Sequence, residues 1–363
     1  MEVYVVVKTC GEMAMNRKVT KSGKIAAILT ATAMTAAMAN PVSADTFYND
    51  KTIRIIVGGT AGGGYDATAR LVARHLPAHI GGGAKAVVQN MPGAGTVKAP
   101  LYLYNVAPTD STAIGALNNA VAFAPLLGVP QADFDPTKFN WLGSPSTEIG
   151  LAVIWHAVPV NTIAEATERE VIMATSGGGS SAAFYGRILN TVLGTKFKLL
   201  SGYSGMGEAF LAMERGETEG FPSALWSSLQ ATKPEWVAEK KVKILLQYGR
   251  KPSPDLPDVP IARDLAKNDE DRMLIDAAMA PLEMGRPFAM APLAPAEHVQ
   301  VMRAAMMATF KDAAFVDDAR KQKFDIDAVP KTGDDLLAIV AEVYNAPKQV
   351  RDRLIDFYKL DAN

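Results

Sequence analysis

Residues 52–76, TIRIIVGGTAGGGYDATARLVARHL, read as a strand, a glycine loop and a helix in one unbroken pass. Ile53, Ile55, Ile56 and Val57 form a short β-branched run that suits a buried strand. Gly58, Gly59, Gly62, Gly63 and Gly64 follow, and glycines let a backbone take positive φ angles and approach a ligand closely. Ala69, Val72, Ala73 and Leu76 then fall on one helical stripe, with Asp66 placed where a first-turn carboxylate suits the helix dipole. Free N–H groups at such a helix start make a site for an anion, a phosphate or a carboxylate; the plainer reading is a sharp turn that binds nothing. A phosphate-cradling loop needs Gly-Lys-Ser/Thr, but Tyr65 and Asp66 stand there instead. A dinucleotide fingerprint fits poorly, because the glycine spacing is wrong and Gly81, Gly82 and Gly83 occupy the place of a ribose-binding acid.

The same theme recurs downstream, which predicts an α/β chain with parallel sheets and helical crossovers. Strands are expected at 86–89, 112–117, 151–155, 171–174, 196–200, 243–248 and 288–291, and helices at 296–311, 312–321, 333–344 and 347–358. Thr332 is the expected N-cap of the third of these helices, and Gly216 the expected stop of an earlier one. Two further glycine loops, 175–181 and 201–207, precede helices, and no loop of the three carries a Lys or Arg. An anion there would be held by neutral N–H and hydroxyl dipoles. Asn118 and Asn119 end the third strand and either line a cleft or serve as turn and cap residues. Met302, Met306 and Met307 read as core filling.

The chain opens with a basic stretch, 16–24, an apolar run, 25–39, and Val42-Ser43-Ala44, the pattern of a cleaved secretory signal over residues 1–44, with Met15 a plausible start. The apolar run is too short for the ~20 residues a bilayer requires. Of 37 Lys/Arg and 38 Asp/Glu, residues 1–44 carry five and two, so the remainder bears four more acids than bases. That balance offers no footprint for nucleic acid or an anionic membrane surface. The single cysteine, Cys10, lies before the apolar run, leaving the exported part without a thiol. No cofactor or metal is expected: the four histidines have no metal-ligand spacing, and His75 and His79, separated by Pro77, read as surface groups. Gly202-Tyr203-Ser204-Gly205-Met206 misses the serine-hydrolase elbow by its last glycine.

The sequence resembles the extracytoplasmic solute receptors of tripartite tricarboxylate transporters, the Bug-type binding proteins, over nearly all of the exported part. The resemblance is carried by Ala61-Gly62-Gly63-Gly64-Tyr65-Asp66 with Ala69-Arg70, similar to the family's A-G-G-x-x-D-x-x-A-R pattern, and by Gln89-Asn90-Met91-Pro92-Gly93-Ala94-Gly95-Thr96 at family distance. It implies a type II periplasmic-binding fold of two α/β domains, residues 45–149 plus 284–363 and residues 150–283, with a ligand cleft between them. It also implies a periplasmic, monomeric, non-catalytic receptor that takes a small organic carboxylate and delivers it to membrane permease subunits. The ligand-facing set expected on this basis is Thr60, Gly62, Gly63, Tyr65, Asp66, Asn118, Ser176, Gly178, Ser180, Tyr203, Ser204, Phe221 and Phe288. The sequence departs from the family pattern at Gly59-Thr60, at residues 108–112 and at Phe221, where the family commonly carries an aromatic with a proline, P-D-G-Y-T, and an Asp or Asn. An exported α/β hydrolase using Ser204 or Ser180 is the alternative, and turnover separates the two.

Overall fold

The computed structural model describes residues 47–359 apart from 60, 63, 94–95, 130, 176–179, 204–205 and 325. The expected signal segment therefore lies outside the described residues. No described helix is long and apolar enough to cross a membrane.

The opening stretch folds as read. Strand β1 (Thr52–Val57) buries Ile53, Ile55, Ile56 and Val57 completely, and helix α1 (Gly64–Ile80) follows the glycine loop. Burial of both strand faces explains the continuous apolar run, since helices cover a parallel sheet on both sides. Strands β2 (Lys85–Asn90) and β3 (Ala113–Ala116) flank β1 in parallel, with helix α2 (Lys98–Asn105) between them in sequence. Strand β4 (Asn140–Ser144) completes the first pass through this sheet.

The chain then enters a second sheet through β5 (Gly150–Trp155), the short α3 (Glu165–Glu168), β6 (Val171–Thr175), α4 (Ser181–Val192), β7 (Phe197–Ser201), α5 (Met206–Glu214) and β8 (Gly220–Leu225). Helices α6 (Trp226–Thr232) and α7 (Pro234–Ala238) lead to β9 (Val242–Tyr248). Helix α8 (Asp269–Met284) returns the chain to the first sheet at β10 (Phe288–Met290). There follow α9 (Ala296–Lys311), α10 (Ala313–Lys321), β11 (Lys331–Thr332), α11 (Gly333–Tyr344) and α12 (Lys348–Lys359). The first sheet has the order β11-β4-β10-β3-β1-β2, with β10 antiparallel to both neighbours. The second has the order β7-β6-β8-β5-β9, with β5 antiparallel to β8 and β9.

All seven expected strands and all four expected tail helices are present to within a residue or two. Thr332 closes a reciprocal capping box with Asp335, and Gly216 takes φ +74° just past α5. Strands β4 and β8 and the two-residue β11 escaped the sequence reading. In β8 the reason is Pro222, which has no N–H for a ladder and ordinarily argues against a central strand. Here the β5 register shifts between Leu151 and Val153, opposite the proline, and the Pro222 carbonyl instead accepts from the Tyr248 hydroxyl at 2.6 Å.

Three packed clusters form the core. One lies under β1 and β3 against α1, α9 and α10, where Met302 and Met306 are fully buried as expected. A second runs from Trp141 through α8 residues Leu274, Ala278 and Met279 to Ile154 of β5 and Tyr185 of α4, so α8 is packed from both sides. The third gathers Phe210, Phe221 and Trp236 beneath β5 and β8. His75 and His79 are not plain surface groups: each is mostly buried and meets an aspartate, His75 with Asp318 of α10 at 3.0 Å and His79 with Asp312, the α10 N-cap, at 2.8 Å.

Candidate functional site

The two sequence motifs that carry the resemblance are one hydrogen-bonded unit. The Asp66 carboxylate, 2% exposed, accepts from Gly62 N–H at 2.8 Å, from Arg70 at 2.9 and 3.0 Å, and from the Asn90 amide at 2.9 Å. Asn90 also donates to the Gly59 carbonyl at 3.1 Å. Arg70, seconded by the Gly62 and Asn90 bonds, lowers the Asp66 carboxyl to about 2. Asp66 thus fixes the glycine loop from within.

The loop holds the start of α1 against a cavity of about 590 Å³. Gly64 and Tyr65 of α1, Ser181 and Ala182 of α4, and Met206 of α5 all reach its wall, so three helix N-termini converge there. Each helix start carries N–H groups without intrahelical acceptors and a partial positive charge. Asn118 and Asn119 contribute a fourth edge: the Asn118 side chain accepts from Ala120 N–H at 2.9 Å, and Asn119 N–H donates to the Tyr65 hydroxyl at 3.0 Å. Burial pushes the Tyr65 phenol up to about 12, so it is neutral at physiological pH.

The far wall carries a charge that sequence reasoning missed. Arg286 sits between α8 and β10, and its guanidinium lies 3.0 Å from Glu148, which stands on the segment between β4 and β5. Both side chains are largely buried, at 14% and 6% exposure, and Ser227 donates to the second Glu148 oxygen at 2.7 Å. The guanidinium also lies 5.2 Å from the Tyr65 ring centre, in cation–π range. Its placement depends on Gly285, at φ +60°, where a Cβ would fall 1.7 Å from the Ser146 carbonyl oxygen. The backbone N–H of Arg286 donates to Ser144 Oγ, which in turn donates to the Ser146 carbonyl. Arg286 thus stands on the wall beside the glycine-loop helix starts, where the sequence reading had singled out only neutral N–H and hydroxyl groups. The two segments that link the sheets lie side by side, and their charged residues meet although no local pattern joins them.

A second cavity, about 570 Å³, lies on the other side of this pair, walled by the linking segments and by Arg250, Asp327 and Lys331. None of the glycine-loop helix starts opens onto it, so the first cavity is the candidate site.

Of the expected residues, Tyr65, Asn118 and Phe221 stand on the cavity wall. Ser180 lies at its edge as the N-cap of α4, accepting from Ala183 N–H at 3.2 Å. Tyr203, half-buried, packs beside the Phe210 and Trp236 cluster. The structure turns three expected residues away from the cavity. Gly62 and Asp66 are spent on the loop's own bonds, and Phe288, 1% exposed, packs under the first sheet 6.2 Å from the Phe310 ring. In a three-residue strand the alternate side chain goes to the core, and the cleft side of that segment is held by Arg286 instead. Thr60, Gly63, Ser176, Gly178 and Ser204 lie outside the described residues. The wall also includes Ser223, Phe184 and Tyr358, which sequence reasoning did not single out.

The whole architecture has solved counterparts. A TctC solute-binding protein from Polaromonas superposes with TM-score 0.66 over 86% of this chain and 99% of its own, at 18% identity. The fold is that of the TctC- and Bug-type periplasmic binding proteins. The binding protein BugD shares this fold at TM-score 0.58 and 19% identity, covering 86% of this chain and 98% of its own. MatC from Rhodopseudomonas palustris, solved with bound malate, shares it at TM-score 0.56 and 20% identity, covering 85% and 99%. In sequence, the chain is 28% identical over 181 residues to a UPF0065 protein from the TAR-I ttuE-ttuC' intergenic region of Agrobacterium vitis. That match takes in 47% of this chain and spans about half, 50%, of the relative's length. No protein-family model matches the chain.

Proposed function

We propose that the chain is a periplasmic solute receptor that captures a small organic carboxylate between two α/β lobes and delivers it to a tripartite tricarboxylate-type membrane transporter. The observation that carries the reading is the convergence of three helix N-termini, from α1, α4 and α5, on one cavity beside Arg286. Such a wall supplies several fixed N–H donors to one carboxylate, and each charge-assisted bond is worth roughly 1.5 to 3 kcal/mol. The TctC, BugD and MatC likeness supports the fold part of this reading, and malate in MatC is in keeping with an acid ligand. The lobes are residues 45–149 with 284–363, and residues 150–283, the second sheet occupying the latter span. The receptor acts as a monomer without catalysis, and closure of the lobes over the acid is its working motion.

The alternative, a hydrolase using Ser180 or Ser204, gains no support at Ser180, whose hydroxyl is engaged at the start of α4. A thermal-shift screen against mono-, di- and tricarboxylates tests the proposal: a ligand at 100 times its dissociation constant should add ~2.7 kcal/mol of stability. The acid should be recovered chemically unchanged. Turnover of the acid or its ester, or no stabilisation by any acid, would refute the receptor reading.

A further inference from the structure

Glu148 is an odd group to find on this wall, a buried carboxylate in a site built for carboxylates. Among the described lining residues, Glu148 and Arg286 are the only charged side chains, and they are paired at 3.0 Å. Their charges cancel. Nor can Glu148 swing away: it is 6% exposed, its second oxygen holds Ser227, and its own N–H is tied to the Leu282 carbonyl at 2.9 Å. On the rest of the wall Tyr65, Phe184, Tyr185, Phe221 and Tyr358 supply rings and Leu127 an aliphatic face, with two asparagines and three serines as the neutral polar groups.

We infer that Glu148 is the charge filter of the site, and that the preferred ligand is a monocarboxylate with an aromatic or aryl-alkyl body. This rests on the receptor reading and narrows its ligand. One carboxylate can be met by the three helix starts, whose partial charges of about half an elementary charge each sum to about one and a half. A second or third carboxylate meets no spare cation on this wall, because Glu148 already neutralises Arg286. The rings offer the remainder of the ligand stacking and edge contacts, which a small polyacid cannot use. A mostly apolar cavity with a few fixed polar groups is the usual form of a small-molecule site.

The test is calorimetry with 3-phenylpropionate, succinate and citrate on the purified protein and a charge series of variants. Glu148→Gln keeps the shape and the Ser227 contact while leaving Arg286 free, Glu148→Gln with Arg286→Gln restores zero net charge, and Arg286→Gln leaves the wall net negative. The parent should bind 3-phenylpropionate at least tenfold more tightly than succinate or citrate. The diacid-to-monoacid affinity ratio should rise about tenfold or more in Glu148→Gln, return toward the parent in the double variant, and fall in Arg286→Gln. Circular dichroism identifies any variant that does not fold, and any two folded members of the series test the order. A parent that prefers succinate or citrate, or a ratio that ignores wall charge, overturns the inference while leaving the receptor reading intact. A folded parent that binds none of the three, nor any other acid in the thermal-shift screen, overturns both.

Discussion

Removing the Arg286 side chain should be among the most damaging changes available near the cavity, and the damage should be traceable to Glu148. In the parent, Glu148 Oε1 lies 3.0 Å from Arg286 Nη2 and its other oxygen accepts only a neutral hydroxyl, Ser227 at 2.7 Å. Unit charges about 4 Å apart attract by about 4 kcal/mol at an effective dielectric of about 20. Truncation to alanine leaves a buried carboxylate without a counter-charge, a loss that runs at ~3–5 kcal/mol. The guanidinium's contacts with the rings of Tyr65 and Phe324, at 5.2 and 5.6 Å, are lost as well. Water from the adjoining cavity offsets part of this, so the expected loss for Arg286→Ala is about 3 kcal/mol. Urea titration followed by tryptophan fluorescence measures it, urea being preferred because guanidinium salt screens the charges under test. A further outcome identifies the cause. Adding Glu148→Gln should recover at least half of the loss, a coupling that a cycle of single and double variants isolates. A loss under about 1 kcal/mol, or a double variant no more stable than Arg286→Ala, would refute the reasoning.

Gly285→Ala should cost about 3 kcal/mol in the same titration, since φ +60° is strained for any side chain and the new Cβ would fall 1.7 Å from the Ser146 carbonyl oxygen. Gly64→Ala should cost about 1–2 kcal/mol, because its Cβ would fall 2.7 Å from an Arg286 guanidinium nitrogen held in the buried pair with Glu148, and it should weaken acid binding measurably by calorimetry. Asp66→Asn should lose about 2 kcal/mol at pH 7. The Asp66 carboxyl is held down at about 2 in the folded protein by Arg70, so its contribution is full above about pH 4 and lost as pH falls toward 2. The gap between parent and variant in denaturant titrations should therefore close over that window. Small-angle scattering should show a smaller radius of gyration when a saturating acid is present, and an unchanged radius would count against lobe closure.

What the sequence disclosed follows the range of the interactions involved. The β1–loop–α1 unit, the tail helices and the Thr332 cap rest on contacts within a few residues, and their periodicity and cap chemistry are written locally. Strand β8 was hidden because Pro222 breaks the local rule, and only its distant partners, a shifted β5 register and the Tyr248 hydroxyl, repair the break. The histidines of α1 were misjudged for the same reason: the aspartates that hold them come from α10 and its N-cap, far along the chain.

The site divides along the same line, and the division explains an error of kind as well as of position. A glycine loop can be read as anion-seeking from its own composition, and Tyr65 and Asn118 do stand on the wall. Yet the loop's best-matched polar residue, Asp66, is consumed in holding the loop, because a carboxylate at a first helical turn finds Gly62, Arg70 and Asn90 closer than any ligand. The charges that face the cavity come from the segments between β4 and β5 and between α8 and β10, which read as connectors and carry no motif. In a fold whose chain passes between two sheets, those connectors run side by side along the cleft. A Glu in one and a Gly-Arg-Pro in the other therefore make a single feature that neither segment announces. On the receptor reading proposed above, substitutions at these crossings should alter ligand class more than substitutions in the glycine loops.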